Sequence, residues 1–147
     1  MNAKMEKKLI IYTDGGARGN PGPAAIGVVV GDPSKSSGQE KLYGERIENT
    51  TNNVAEYKAM IFGLKKAKHL LGGDASATAE IELRSDSELI VSQMNRKYKI
   101  KDADLQPLFV ELWNLTLDFG SVSFVHIPRE ENKEADGLVN RALDTLI

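Results

Sequence analysis

Cysteine is absent from the 147 residues of this chain. Its absence excludes disulfide bonds, thiolate metal sites and cysteine nucleophiles. Long hydrophobic runs are also absent, since no segment approaches the roughly 20 apolar residues of a membrane-spanning helix. The apolar run near the N-terminus is too short for the core of a signal peptide. We therefore expect a cytoplasmic protein that does not enter a membrane.

An excess of charge of one sign is the third feature that the sequence lacks. Lysine and arginine number 19 and aspartate and glutamate 21, which gives a net charge of −2. Domains dedicated to nucleic-acid binding are usually basic, so this balance argues mildly against that class. If metal ions neutralised four of the acids, however, the remainder would carry a charge of +2. A polyanionic substrate is therefore not excluded.

The remaining composition is ordinary for a soluble globular protein, with 41% hydrophobic and 27% charged residues. A chain of this length normally forms one domain and buries roughly 68–70% of the surface that its unfolded form exposes. We expect a monomeric, single domain over residues 1–147, with a loosely ordered start over residues 1–7.

The hydrophobic pattern predicts elements in the order β-β-β-α-β-α-α-β-α, which is typical of an α/β domain with a mixed sheet. The first three strands follow one another closely and predict an antiparallel meander. Residues 16–24 and 32–39 are rich in turn-forming residues and are predicted loops. The strands are predicted over 9–14, 24–32, 41–49, 78–86 and 121–128, and the helices over 53–71, 87–95, 105–119 and 130–147.

Glu56 lies on a face of the first predicted helix that is otherwise apolar or small. Ala59, Met60 and Gly63 follow it at helical spacing and share that face. One explanation is structural, because Asn53 and Glu56 have the spacing of a capping box. The other is that the carboxylate has a chemical role, and this segment alone does not decide between the two.

Three further acids lie, like Glu56, at the ends of predicted elements: Asp14, Asp86 and Asp136. Each has a structural explanation, as a turn residue, a helix N-cap and a solvated helix residue respectively. Ligands of open α/β sheets, however, collect at the carboxyl ends of strands. Carboxylates that converge there repel unless protons or cations neutralise them, and Mg²⁺ prefers oxygen ligands. Two such ions about 3.5–4 Å apart would suit in-line phosphodiester hydrolysis.

Four stretches of the chain, in this order, resemble the motifs of type 1 ribonuclease H: YTDGGARGNPGPAAIGVVV, TNNVAEYKAMIFGL, RSDSELIVSQMN and PREENKEADGL. The resemblance covers nearly the whole chain and is closest to the compact branch of archaea and many bacteria. It implies the ribonuclease H-like fold, an α/β fold whose five-stranded mixed sheet joins a three-stranded antiparallel meander to two parallel strands, flanked by helices.

The resemblance also implies the chemistry of this family. Asp14, Glu56, Asp86 and Asp136 correspond to its metal-binding acids, which hold two Mg²⁺ ions, with Mn²⁺ able to substitute. The implied reaction is endonucleolytic hydrolysis of the RNA strand of an RNA–DNA hybrid, leaving 3′-hydroxyl and 5′-phosphate ends. Cleavage of double-stranded RNA by the same acids and a non-catalytic nucleic-acid-binding module stay open as alternatives.

Substrate contacts are implied for two segments and two single residues. In the family, the glycine-rich turn and the paired asparagines read the 2′-hydroxyl that distinguishes RNA from DNA. Thr51 corresponds to a residue that contacts a DNA-strand phosphate, and Ser87 lies near the scissile region. The turn and asparagine residues are Gly15, Gly16, Ala17, Arg18, Asn20, Asn52 and Asn53.

A histidine that assists catalysis in many relatives has no clear counterpart here. His126 has the right distance from Asp136 in sequence, but we expect it to be a partly buried residue of the last strand. Arg129 occupies the place of the histidine loop and could bind the scissile phosphate in a bidentate manner. We therefore favour Arg129 over His126 as the assisting residue.

Overall fold

The computed structural model describes residues 6–145. Five strands form one mixed sheet in the order β3-β2-β1-β4-β5. β1 pairs antiparallel with β2 and parallel with β4, while β3 is antiparallel to β2 and β5 parallel to β4. The predicted meander with two added parallel strands is therefore confirmed. The strands are β1 (Lys8–Ala17), β2 (Gly22–Gly31), β3 (Lys41–Thr50), β4 (Glu80–Ser85) and β5 (Ser121–His126).

Five α-helices flank this sheet. None of the helices within residues 6–145 has both the length and the apolar character that crossing a bilayer requires. A single turn of 3₁₀ helix, Arg129–Glu131, lies between β5 and the last helix. The α-helices are α1 (Asn52–Leu71), α2 (Gly73–Thr78), α3 (Glu88–Met94), α4 (Gln106–Thr116) and α5 (Lys133–Asp144).

The helices divide between the two faces of the sheet. α1 packs its buried Tyr57, Met60 and Leu64 into the main core, which includes Ile11 and Val28 from the sheet. Successive residues of a strand point to opposite faces. The β2 residues that alternate with Val28 pack instead against α5, as the clusters of Ala25 with Val139 and of Val29 with Leu138 show. α1 and α5 therefore cover opposite faces.

Beyond shifts of one to three residues at several element ends, the structure differs from the prediction in three places. β1 and β2 extend into the predicted loop over 16–24, because their antiparallel pairing continues as far as Ala17 and Ala24. α2 was not predicted, since GDASAT has no apolar periodicity. α5 begins at Lys133 rather than at residue 130, because the chain first forms the 3₁₀ turn after Pro128.

The predicted loosely ordered start over residues 1–7 falls mostly outside the described residues. Of this segment only Glu6 and Lys7 are described, and they precede β1. Lys7 Nζ lies 2.6 Å from Asp32 Oδ2, and the loosely ordered start stays a prediction.

Candidate active site

Three carboxylates meet where the parallel pairing of β1 with β4 ends. The parallel register pairs Thr13 with Ser85, so the residues that follow, Asp14 and Asp86, lie side by side. Glu56 on α1 completes the group, and one carboxylate oxygen from each of the three residues lies within 4.8 Å of the others. Neither structural explanation for the two aspartates holds. Asp14 belongs to a strand rather than a turn, and Ser87, not Asp86, is the N-cap of α3.

Glu56 reaches this group because α1 and β1 approach each other closely at Gly15. A Cβ atom on Gly15 would lie 2.3 Å from the carbonyl carbon of Ala55, so only glycine fits there. At this contact the Gly15 N–H donates to Glu56 Oε1 over 2.9 Å. The capping-box interpretation of Glu56 is therefore wrong. The N-cap is Thr51, whose hydroxyl accepts a hydrogen bond from the Val54 N–H.

Burial and mutual repulsion oppose the ionisation of these acids. The side chain of Asp14 is buried, and burial, then Asp86 and Asp136, raises its pKa from 3.8 to about 8. Burial, then the charges of Asp14 and Asp86, raises the pKa of Glu56 well above its ordinary value, which the Gly15 N–H and Arg129 partly oppose. Divalent cations would remove this repulsion and hold the group ionised at neutral pH.

Asp136 faces the three carboxylates from α5. It lines the same cleft of about 290 Å³, although it lies outside the group of oxygens within 4.8 Å. Its Oδ2 accepts a hydrogen bond of 3.4 Å from Asn140 Nδ2, one turn further along α5. It is half-buried, so the interpretation of Asp136 as a merely solvated helix residue does not fit. All four predicted acids thus border one cleft.

The residues predicted to contact substrate divide into two sets. One set lines the cleft beside the acids: Gly15, Gly16, Ala17, Arg18 and Asn52. The other set, Asn20, Thr51, Asn53 and Ser87, does not line it. Thr51 and Ser87 are the N-caps of α1 and α3, and each hydroxyl accepts a hydrogen bond from a backbone N–H of its own helix.

Hydrogen bonds join the turn after β1 to the start of α1. The Ala17 N–H donates to Asn52 Oδ1 over 2.8 Å, and the Asn52 N–H donates to Asn20 Oδ1 over 3.0 Å. Arg18 extends from this turn, and its guanidinium lies 2.6 Å from Asp144 Oδ1. The N–H groups of Gly15 and Ala17 thus donate to side chains of α1 in this structure.

Arg129 and His126 occupy different environments. Arg129 lines the cleft, and its charge acts on Glu56. His126 pairs with Ser85 at the end of β5 and does not line the cleft. Its side chain is exposed, so the expectation of partial burial is wrong.

Sequence reasoning missed three residues of α5 that line the cleft: Val139, Asn140 and Leu143. They follow Asp136 at the spacing that places residues on one helix face. Applying this spacing to Asp136, as it was applied to Glu56, would have found them.

Comparison with known proteins agrees with this geometry. A family model described as reverse transcriptase-like matches residues 12–142. A bifunctional protein of Mycobacterium tuberculosis is 40% identical over 139 residues, which are 93% of this chain and 36% of that protein. Ribonuclease HI of Halobacterium salinarum is 41% identical over 133 residues, which are 90% of this chain and 63% of that enzyme. The chain therefore spans less than two thirds of the length of these relatives.

The match to one solved structure extends over nearly the whole length of both chains. LC11-RNase H1, solved in complex with an RNA/DNA hybrid, superposes with a TM-score of 0.82 at 47% sequence identity. The match covers 92% of this chain and 96% of that one. At this identity and coverage, the chain belongs to the type 1 ribonuclease H family.

Proposed function

We propose that this protein is a metal-dependent endonuclease that hydrolyses the RNA strand of RNA–DNA hybrids to 3′-hydroxyl and 5′-phosphate ends. The observation that carries the proposal is the group formed by Asp14, Glu56 and Asp86, whose oxygens lie within 4.8 Å of one another. The complex of LC11-RNase H1 with an RNA/DNA hybrid supports the choice of substrate.

The proposal includes two Mg²⁺ ions, with Mn²⁺ able to substitute, and the chemistry of the residues present fits divalent cations of this kind. The donors are carboxylate oxygens, which these hard cations prefer. Asp14, Glu56 and Asp86 would hold the ions together with Asp136, which borders the same cleft. When bound, such ions polarise the phosphodiester and make water a competent nucleophile at neutral pH.

The chain's own groups prepare this site for the reaction. The Gly15 N–H holds one Glu56 oxygen, so that carboxylate is oriented before any ligand arrives. Arg129 lines the cleft, and a guanidinium there can bind a phosphate through two parallel hydrogen bonds. This contact would offset negative charge that develops on the phosphate in the transition state.

Recognition of the hybrid would involve residues that line the cleft and residues outside it. Arg18 and Asn52 line the cleft and offer donors to phosphate or sugar oxygens. The proposed contacts of Asn20, Asn53, Thr51 and Ser87 would require a substrate that extends beyond the cleft. Such contacts to backbone and shape carry little base specificity.

The proposal is tested by incubating an end-labelled RNA–DNA hybrid with the protein, with Mg²⁺ and with EDTA. Matched RNA duplex, DNA duplex and single-stranded RNA are assayed in parallel. Internal cuts that require metal and occur only in the RNA strand of the hybrid are the expected result. Cuts in the RNA duplex as well would broaden the specificity, and binding without any cut would favour the non-catalytic module.

Asp14→Asn should reduce Mg²⁺-dependent cleavage by about 10³-fold, because removing a metal-holding charge costs several kcal/mol of transition-state stabilisation. The fold should persist, since asparagine has the size of aspartate. Single-turnover cleavage and circular dichroism measure the two effects. Full activity in this variant would contradict the assignment of Asp14 as a metal ligand.

The monomeric state and the cytoplasmic location stay predictions from the sequence. Light scattering of the purified protein and fractionation of the producing cells are the measurements that decide them.

A further inference from the structure

Asn132 is a buried amide between the two elements that hold Asp14 and Asp136. Its side chain is 1% exposed, and its Nδ2 donates to the Thr13 carbonyl oxygen over 2.9 Å. Its backbone carbonyl oxygen accepts a hydrogen bond of 3.1 Å from the Asp136 N–H, the ordinary helical bond between residues four apart. One residue is therefore bonded to the immediate neighbour of Asp14 and to Asp136 itself.

The usual role of asparagine at this position does not explain this geometry. Asn132 is the N-cap of α5, where an asparagine oxygen normally accepts a hydrogen bond from an N–H of the first turn. Here the side chain makes no such bond. Its Oδ1 is buried and has no hydrogen-bond partner among residues 6–145, which is costly for a buried acceptor. The amide thus forgoes capping and contacts β1 instead.

The apolar contacts that hold α5 on the sheet are few. α5 packs on β2 through small clusters, those of Ala25 with Val139 and of Val29 with Leu138. These contacts lie on the C-terminal side of Asp136, apart from Ala135. On its N-terminal side, the Ala135 carbonyl lies against Gly27 of β2, and the bond from Asn132 to Thr13 reaches β1 directly next to Asp14.

We propose that Asn132 is a positioning residue that sets the distance between Asp136 and Asp14 and thereby the affinity of the cleft for divalent metal. The inference rests on the proposed function, because it assumes that these acids hold metal together. Groups that orient metal ligands typically change metal affinity about 10- to 100-fold when they are removed.

The test compares Asn132→Leu and Asn132→Ala with wild type. Leucine fills a similar volume but cannot donate a hydrogen bond to the Thr13 carbonyl oxygen. If leucine prevents folding, the smaller alanine, which also lacks the donor, is used to measure Mn²⁺ affinity. Asn95→Leu is the control for losing an amide bond to a strand carbonyl at an exposed position outside the cleft, because Asn95 Nδ2 donates to the Phe124 carbonyl oxygen over 3.0 Å. Mn²⁺ affinity is measured by titration calorimetry without nucleic acid, and thermal stability is measured in EDTA.

Both Asn132 variants should bind Mn²⁺ about 10-fold more weakly at temperatures where they are fully folded, and Asn95→Leu should bind it like wild type. Lower thermal stability with unchanged Mn²⁺ affinity would show a merely structural role and overturn the inference. In that case wild-type metal binding and cleavage would still support the proposed function. If wild type itself bound no Mn²⁺, the proposed function would fail and this inference with it.

Discussion

The two faces of the sheet hold their helices in different ways. On one face, α1 inserts large side chains such as Tyr57, Met60 and Leu64, all of them 0% exposed, into one extensive core. On the other face, α5 lies so close to β2 that a Cβ atom on Gly27 would be 2.2 Å from the Ala135 carbonyl oxygen. The apolar clusters beneath α5 are small.

This difference matters because the two helices supply different acids to one cleft. Glu56 is held by α1, whose position is fixed by many buried contacts and by the Gly15 N–H. Asp136 is held by α5, whose position depends on close backbone contacts and a few hydrogen bonds. Three acids are thus preorganised by the main core, while the fourth depends on the more sparsely packed layer. Changes on each face should therefore have separable effects on stability and on cleavage.

The largest expected effect is that of Gly15→Ala, which breaks the close contact on the α1 face. The new Cβ would lie 2.3 Å from backbone atoms of Ala55, so α1 would have to move. We expect a loss of roughly 3 kcal/mol or more in the free energy of unfolding, together with loss of cleavage. Urea unfolding and the hybrid assay measure both.

The control for this variant is Gly16→Ala, whose Cβ would meet its nearest neighbour, Val139 Cγ1, at 3.4 Å. That neighbour is the end of a side chain that can shift, so the loss of stability should be under about 1 kcal/mol. Equal destabilisation by the two variants would contradict the importance of the close contact at Gly15.

A pair of leucine truncations compares the two faces directly. Leu64→Ala, in the main core, should cost roughly 3–4 kcal/mol of stability, and Leu138→Ala, in the cluster between α5 and β2, roughly 2 kcal/mol. The effects on turnover should be reversed, because only α5 holds Asp136. We expect about 10-fold slower cleavage for folded Leu138→Ala and near-wild-type cleavage for folded Leu64→Ala. If both variants slowed cleavage equally, the two layers would not be separable.

The metal-free protein should lose stability as the pH rises. Asp14 has a pKa of about 8 in the fold against an ordinary value of 3.8, so its protonated form favours folding. That contribution is complete below the ordinary pKa and is lost as the pH rises through the folded value. In EDTA, the free energy of unfolding should fall by roughly 1–3 kcal/mol between about pH 5 and pH 8.

Asp14→Asn provides the comparison for this prediction, because asparagine removes the titrating group while it keeps the size of the side chain. Urea unfolding of both proteins at several pH values measures the effect. A variant whose stability falls as steeply with pH as that of wild type would show that Asp14 does not cause the dependence.

Much of this architecture could be predicted from the sequence because its signals are local. Apolar runs and helical spacing located the five strands and four of the five α-helices, and a carboxylate on the apolar face of α1 indicated a chemical role for Glu56. The ends of β1 and β2 were missed because Gly15, Gly16 and Gly22 indicate a turn locally, whereas pairing between the strands overrides this tendency.

The missed parts of the candidate site are set by contacts between distant segments. The hydrogen bond from Asn132 to Thr13 joins residues 119 positions apart, and no local pattern reports it. The contact of Gly15 with Ala55 is of the same kind. A glycine in a sequence indicates where backbones can approach each other, but only the fold shows which helix makes the approach.

Two residues before α5 could assist the reaction, Arg129 and His126, and the smallest expected effect is that of changing His126. Arg129 lines the cleft, and its positive charge partly opposes the rise in the pKa of Glu56, which lies on α1. Arg129→Ala should slow turnover roughly 10- to 100-fold, because a charged donor to the phosphate is lost. His126→Ala should change turnover less than about 2-fold, since an exposed side chain outside the cleft makes no such contact. Single-turnover cleavage at saturating Mg²⁺ ranks the two variants. A larger loss for His126→Ala would mean that the end of β5 moves toward the acids when the hybrid binds, and it would transfer the assisting role from Arg129 to His126.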